Sequence, residues 1–172
     1  MTRLESERLL FRDHELADLE AFCEMESDPV YRSPQAVHPR AELERDFQDT
    51  WLPPKPMGLL ATVCKANCRY IGRCGIYPCR GSDDQIIAGA ARLAYYLARP
   101  YWGRGFATEA SRVFVDYGFR NLNLSRIEAG VNAKNIASIR VLQKLGFKLI
   151  LSGEGDGNAW HRFELWNPHR PS

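Results

Sequence analysis

Tyr101-Trp102-Gly103-Arg104-Gly105-Phe106-Ala107-Thr108-Glu109-Ala110 places two glycines between a strand-like run and a helix-like run. Upstream, Ala88–Leu97 alternates, with Leu93, Tyr95 and Leu97 on one side and Arg92, Ala94 and Tyr96 on the other, the period of a half-buried strand. Downstream, Ala107, Ala110, Val113, Phe114 and Tyr117 recur at spacings of three and four, while Glu109, Arg112, Asp116 and Arg120 fall opposite. An amphipathic helix is expected from about Ala107 or Thr108 to the region of Gly118–Asn121. Glycine lacks a Cβ, so the backbone at 103 and 105 can turn tightly against a bulky ligand. The first amides of the following helix have no internal partners and carry its positive dipole end, which favours phosphate oxygens. Arg104 adds a full positive charge.

The turn does not have the dinucleotide-binding spacing Gly-x-Gly-x-x-Gly, because Thr108 stands where the third glycine would be, and no Gly-Lys-Ser/Thr occurs in the chain. Taken alone, it is either an anion cradle or a plain structural turn. A second segment, Glu128–Phe147, narrows the choice. Ile127, Ala129 and Val131 alternate with Glu128 and Gly130 as a strand. Asn135 then suits a helix N-cap, Ile139, Leu142 and Leu145 form an apolar stripe, and Gly146 suits a left-handed stop.

The two segments together resemble the GNAT superfamily of acyl-CoA-dependent N-acetyltransferases, specifically its RimJ/RimL-type branch. The resemblance spans most of the chain, through Leu4–Arg12, Ser27-Asp28-Pro29-Val30-Tyr31, Tyr70–Ile76, the glycine turn, Asn135-x-x-Ser138 and Lys144-Leu145-Gly146-Phe147. It implies a single α+β domain over residues 1–172. Its mostly antiparallel, twisted sheet would have about seven strands, flanked by about four helices. The family's fourth and fifth strands, here Ala88–Leu97 and Ile127–Val131, would splay apart to admit acetyl-CoA as co-substrate. Backbone groups of Tyr96, Leu97 and Ala98 would bind the pantetheine arm like a further strand, a use that unpaired ladder groups permit. Amides of Trp102, Gly103, Arg104, Gly105, Phe106, Ala107 and Thr108 would hold the diphosphate, with Asn135, Ser138 and Arg140 completing the cofactor-binding set. Trp102 stands where the superfamily usually has Gln or Arg.

The implied reaction is direct attack of a neutral primary amine on the thioester carbon in a ternary complex, which needs an amine without its extra proton, a donor for the developing oxyanion and a proton for the thiolate. A backbone N–H near Leu97 or Ala98 is the candidate oxyanion donor. Leu142 occupies the position where many superfamily members carry a tyrosine acid, so the acid role passes to Ser138, one turn after Asn135. Ser138 reads equally as a hydrogen-bond donor to sulfur or as a small residue at a tight contact. Glu128 is the candidate general base, through a water, set against a solvated strand carboxylate. His161 and Glu164 are alternative proton acceptors. The acceptor is a peptide N-terminus or a small amine. The competing reading is an acyl-CoA-binding sensor on the same fold with little turnover.

Five cysteines, Cys23, Cys64, Cys68, Cys74 and Cys79, form no Cys-x-x-Cys pair, so no metal site is expected. Their odd number and the absence of a secretory leader point to reduced thiols and a cytoplasmic protein. A chain of 172 residues with 45% hydrophobic and 11% aromatic content suits one domain with a substantial core. Scattered basic residues and a net charge of +2 argue against a nucleic-acid partner, and no apolar run is long enough for a membrane span. A monomer or homodimer is expected.

Elsewhere, a strand is expected over about 8–12, then a helix capped by Asp13 and running to Glu26, and a second helix after Pro39. Ser27–His38 and Trp51–Pro56 are expected to frame the acceptor cleft, by family analogy alone. Strands near 58–65 and 68–77 should form a hairpin through Ala66-Asn67, with an exposed turn at Gly81–Gln85. Two last strands, Leu149–Ser152 and Ala159–Trp166, should be joined by the Gly153–Asn158 loop.

Overall fold

A computed structural model describes residues 4–29, 38–54, 57–155 and 157–169. The chain forms two compact units, Met1–Gly75 with Tyr95–Ala110, and Ile76–Ala94 with Ser111–Ser172. Strands β1 (Leu4–Glu5), β2 (Leu9–Arg12), β3 (Leu59–Cys64), β4 (Arg69–Arg80), β5 (Ile86–Leu97), β6 (Arg126–Asn132), β7 (Lys148–Gly155) and β8 (Asn158–Trp166) make one eight-stranded sheet ordered β1-β2-β3-β4-β5-β6-β8-β7. Helices α1 (Leu19–Glu26), α2 (Arg40–Asp46), α3 (Phe106–Arg120) and α4 (Ile136–Lys144) accompany it. The expected mixed α/β architecture is therefore present, with one strand more than expected. The extra strand arises because Leu4–Arg12 folds back on itself, pairing Leu4 with Phe11, instead of running as one strand.

In the first unit the core is Phe22, Cys23 and Met25 of α1, Leu43 of α2, and Phe47, Ala61 and Tyr70, with Trp51 and Ala98 packed against it. Asp13 does not cap the first helix. A 3-10 turn, Leu16–Asp18, precedes α1, and it is Asp18 that accepts the Glu15 amide at 2.9 Å while binding the Arg12 guanidinium at 2.7 and 2.8 Å. The carboxylate nearer the helix, backed by an arginine, replaces the one predicted from sequence order. The second helix follows Pro39 as expected, with Pro39 as its N-cap, and α2 runs on into a π-helical turn, Phe47–Trp51. Of the segments expected to frame an acceptor cleft, residues 30–37 and 55–56 lie outside the described residues.

In the second unit the buried residues include Cys79, Ala91, Phe114, Leu124, Ile127, Ala129, Leu142, Phe147 and Phe163. Gly118 lets α3 lie close to the sheet, since a Cβ there would come within 3.0 to 3.1 Å of Leu124, Ile127 and Ile76. The helix begins at Phe106, one residue before the expected start, because the Gly105 carbonyl already accepts the Glu109 amide. Its buried stripe is rotated from the expected one: Phe106, Ala110, Ser111, Phe114 and Val115 are buried. The Gly81–Gln85 turn and the β3–β4 hairpin occur as expected. So does the β7–β8 hairpin, although its strands are longer than expected and Asp156 of its loop lies outside the described residues.

β6 pairs parallel with β5 through Ala90↔Arg126, Ala91↔Ile127 and Arg92↔Glu128, and antiparallel with β8 along its whole length. The β5–β6 ladder thus stops at Arg92, five residues before β5 ends.

Candidate active site

The first unit carries the glycine turn. Gly103 and Gly105 take φ of +70 and +82°, with Arg104 between them at negative φ. Such alternation turns successive backbone N–H groups toward one concavity, an anion nest. No atom lies within 4 Å of where a Gly103 Cβ would be, so this glycine is required by its backbone angle and not by crowding. Glu109 makes the first intrahelical bond of α3, to Gly105, at 3.0 Å, which leaves Phe106, Ala107 and Thr108 as the amides of the open helix end. The Trp102 amide is not part of that set, because it donates to the Arg99 carbonyl at 3.1 Å. The cradle therefore starts at Gly103.

Arg8 fastens this turn from β2's side. Its guanidinium donates to the Arg104 carbonyl at 3.1 Å, lies 4.3 Å from the Phe106 ring centre and pairs with Glu109 at 2.6 Å. Glu109 also accepts from the Ser6 hydroxyl at 2.7 Å and the Arg8 amide at 2.9 Å. Burial pushes this carboxyl upward, but the Ser6 and Arg8 hydrogen bonds outweigh it, so it titrates below its ordinary value. Glu109 is thus a tethered residue, not the solvated one its helical position suggested. Arg104 remains exposed, its guanidinium 5.1 Å from the centre of the same Phe106 ring.

At the end of β5, two main-chain groups are already engaged. The Leu97 carbonyl accepts the Trp102 indole N–H at 2.6 Å, and the Ala98 amide donates to Ile71 at 2.9 Å. Ala98 is therefore removed as an oxyanion donor. Gly72, at φ +143°, brings β4 so near that a Cβ would strike the Tyr96 carbonyl. Tyr96 lies 4.9 Å from the Arg73 guanidinium, which also faces Trp51 at 4.3 Å and pairs with the buried Glu26 at 2.7 Å.

The second unit carries the other candidates. Glu128 is only 5% exposed, so it is not the solvated strand carboxylate weighed from sequence. Arg126 binds its Oε1 at 3.0 and 3.1 Å, and Arg92 approaches Oε2 at 3.9 Å. It stands in register with Glu164 across β8. Burial, followed by the neighbouring Glu128 charge, pushes the Cys79 thiol up to about 11. Asn135 caps α4 as expected, its Oδ1 accepting the Ser138 amide at 3.0 Å, and Gly146 ends that helix at φ +89°. Ser138 is half-buried, Arg140 is exposed, and Leu142 is buried. His161 pairs with the Ser152 hydroxyl at 2.8 Å on the β7–β8 hairpin. Among the described residues no cluster of His, Cys, Asp or Glu could hold a metal ion.

Arg8 was missed from sequence. The partner that gives it meaning, Glu109, is 101 residues away.

A nest of glycine amides at a helix start, with β5 paired to β6 along only part of its length, is the arrangement that the resemblance to the GNAT superfamily implied. The chain belongs to the acetyltransferase (GNAT) domain family, whose profile matches residues 8–148. It is 36% identical over 154 residues to the uncharacterized N-acetyltransferase p20 of Bacillus licheniformis, covering 86% of this chain and 83% of that one. Its fold is similar to a GNAT-family acetyltransferase from Bacillus anthracis, with a TM-score of 0.81 at 19% identity over 96% of this chain and 99% of that one. RimL, a ribosomal L7/L12 alpha-N-protein acetyltransferase solved with coenzyme A, superposes with a TM-score of 0.76 at 17% identity over 96% and 98%. The protein is an N-acetyltransferase of this fold, and the acyl donor of its family is acetyl-CoA.

Proposed function

We propose that this protein transfers the acetyl group of acetyl-CoA to a primary amine, a peptide N-terminus or a small-molecule amine, as a single catalytic domain of the RimJ/RimL-type branch. The observation that carries the reading is the Gly103–Gly105 nest opening onto the first amides of the 15-residue α3, which is suited to a diphosphate. Its residues fit the group: the amides of Gly103 to Thr108 would hold it, Arg104 would supply a cation, and the carboxylate of the first turn, Glu109, is neutralised by Arg8. The family profile takes in both units, which supports one domain. The free thiols fit a reducing cytoplasm.

Acetyl-CoA supplies an acyl group already activated as a thioester. The attacking amine nitrogen gains the carbon–nitrogen bond as the carbon–sulfur bond breaks; the amine gives up one proton and the thiolate takes one. Ser138 donates toward the sulfur from the first turn of α4. Glu128 accepts the amine proton through a water, with Arg126 and Arg92 fixing its rotamer. Leu97 supplies the oxyanion amide, Ala98 being engaged elsewhere. Glu128→Gln is expected to lower kcat about tenfold, and Ser138→Ala by a similar factor.

Coenzyme A release from acetyl-CoA across a panel of peptides, polyamines and amino acids tests the reading. Turnover with at least one primary amine supports it. Tight coenzyme A binding without turnover on any amine would instead favour the acyl-CoA sensor, which the buried apolar Leu142 at the usual acid position keeps in play.

A further inference from the structure

We infer that Trp102 is a removable plug on the acyl carrier's track: its indole N–H caps the Leu97 carbonyl that an incoming pantetheine arm would need, and the side chain swings away when the arm docks. This rests on the acetyl-CoA reading and adds a step to binding.

In an extended strand the N–H and C=O of one residue share an edge, and those of the next residue share the other. The end of β5 can be sorted on that basis. A Cβ on Gly72 of β4 would strike the Tyr96 carbonyl, so that carbonyl faces β4. The Ala98 amide donates to the Ile71 carbonyl of β4 at 2.9 Å and faces the same way. Leu97 lies between them and directs its own groups to the opposite edge, along which the ladder has already stopped at Arg92. Free ladder groups on such an edge are what an extended ligand adds to. The Leu97 carbonyl is not free, because the Trp102 indole N–H donates to it at 2.6 Å. The ring carrying that N–H fills the place from which an amide of the arm would approach.

The cap is built to move. Trp102 is 45% exposed, so packing holds only part of its ring. Its backbone is fixed separately, extended at φ −70 and ψ 157° with its amide on the Arg99 carbonyl at 3.1 Å. The side chain can therefore turn without disturbing the nest that starts one residue later. No atom lies within 4 Å of where a Gly103 Cβ would be, which leaves room beside the ring. Track and nest are thus separable: a diphosphate needs the amides from Gly103 onward, whereas the arm needs Leu97.

Calorimetric titration with two ligands tests this, since coenzyme A carries both arm and diphosphate and ADP carries the diphosphate alone. Trp102→Phe removes the N–H, and Trp102→Leu removes the aromatic ring as well. Both are expected to lower the Kd for coenzyme A about three- to tenfold, the worth of one displaced hydrogen bond, while the Kd for ADP stays within about twofold of wild type. If Trp102→Leu does not fold, Trp102→Phe decides alone. Coenzyme A binding that is unchanged or weaker overturns the inference, and so does an equal change for both ligands, which would make Trp102 a support of the nest. A wild-type chain that binds no coenzyme A overturns the acetyl-CoA reading together with the inference.

Discussion

The Arg8 guanidinium lies 2.6 Å from Oε2 of Glu109, tying the start of β2 to the first turn of α3. The pair holds the residues on either side of the anion nest, because Arg8 also donates to the Arg104 carbonyl inside it. One arginine thus removes the only negative charge of the helix start and stiffens the loop beside it.

Arg8→Ala should therefore act on cofactor affinity more than on chemistry. The KM for acetyl-CoA is expected to rise about tenfold with kcat changed less than about threefold. Steady-state assays of coenzyme A release check this, and an equal fall in kcat with unchanged KM would contradict the assignment.

The same pair predicts a pH dependence of stability. Because the folded-state pKa of Glu109 is depressed, its contribution is complete above the unfolded value of about 4.3 and is lost as pH falls through the folded value. The melting temperature of the wild type should exceed that of Glu109→Gln at pH 7, and the gap should close on acidification below about pH 4. A gap unchanged down to pH 3 would refute it.

Two glycines should respond very differently to alanine. Gly103→Ala meets open space and bears only the positive-φ penalty, about 1 kcal/mol. Gly72→Ala would drive a methyl group into the Tyr96 carbonyl, so a loss of about 3 kcal/mol or more is expected. Urea unfolding of the two variants measures the contrast.

Glu26 and Arg73 form a buried pair at 2.7 Å beneath Trp51 and Tyr96. Removing one member, as in Arg73→Met, should cost about 3–5 kcal/mol by stranding a buried charge. Replacing both, Glu26→Leu with Arg73→Met, should recover most of that loss. A double-mutant cycle by chemical denaturation gives the coupling.

Thiol reactivity should single out Cys68. It is the exposed cysteine of the five, whereas burial raises the thiols of Cys23 and Cys79, the latter to about 11. One fast-reacting thiol is expected with a disulfide reagent at pH 8, absent in Cys68→Ser, and five after unfolding.

The parts of this molecule that could be read in advance are those governed by near neighbours. A glycine that must take positive φ, an asparagine that accepts an amide three residues on, and an alternation of two or three-to-four residues each express local backbone geometry. The nest at Gly103 and Gly105, the Asn135 cap, the Gly146 stop and the hairpins were accordingly legible. The roles of charged side chains were not, because a carboxylate's meaning lies in its partner. Glu109 looked solvated until Arg8 reached it, and Asp18 displaced Asp13 as the acid of the first helix because Arg12 backs it. Glu128 became a buried, doubly paired group only when β6 was set beside β5 and β8. Which strand lies at the edge is likewise decided by packing: β8 inserts between β6 and β7, leaving the Leu-Ile-Leu run of β7 exposed. Local conformation is settled over a few bonds of chain, whereas partnership between distant residues is settled by how the whole sheet buries its apolar faces.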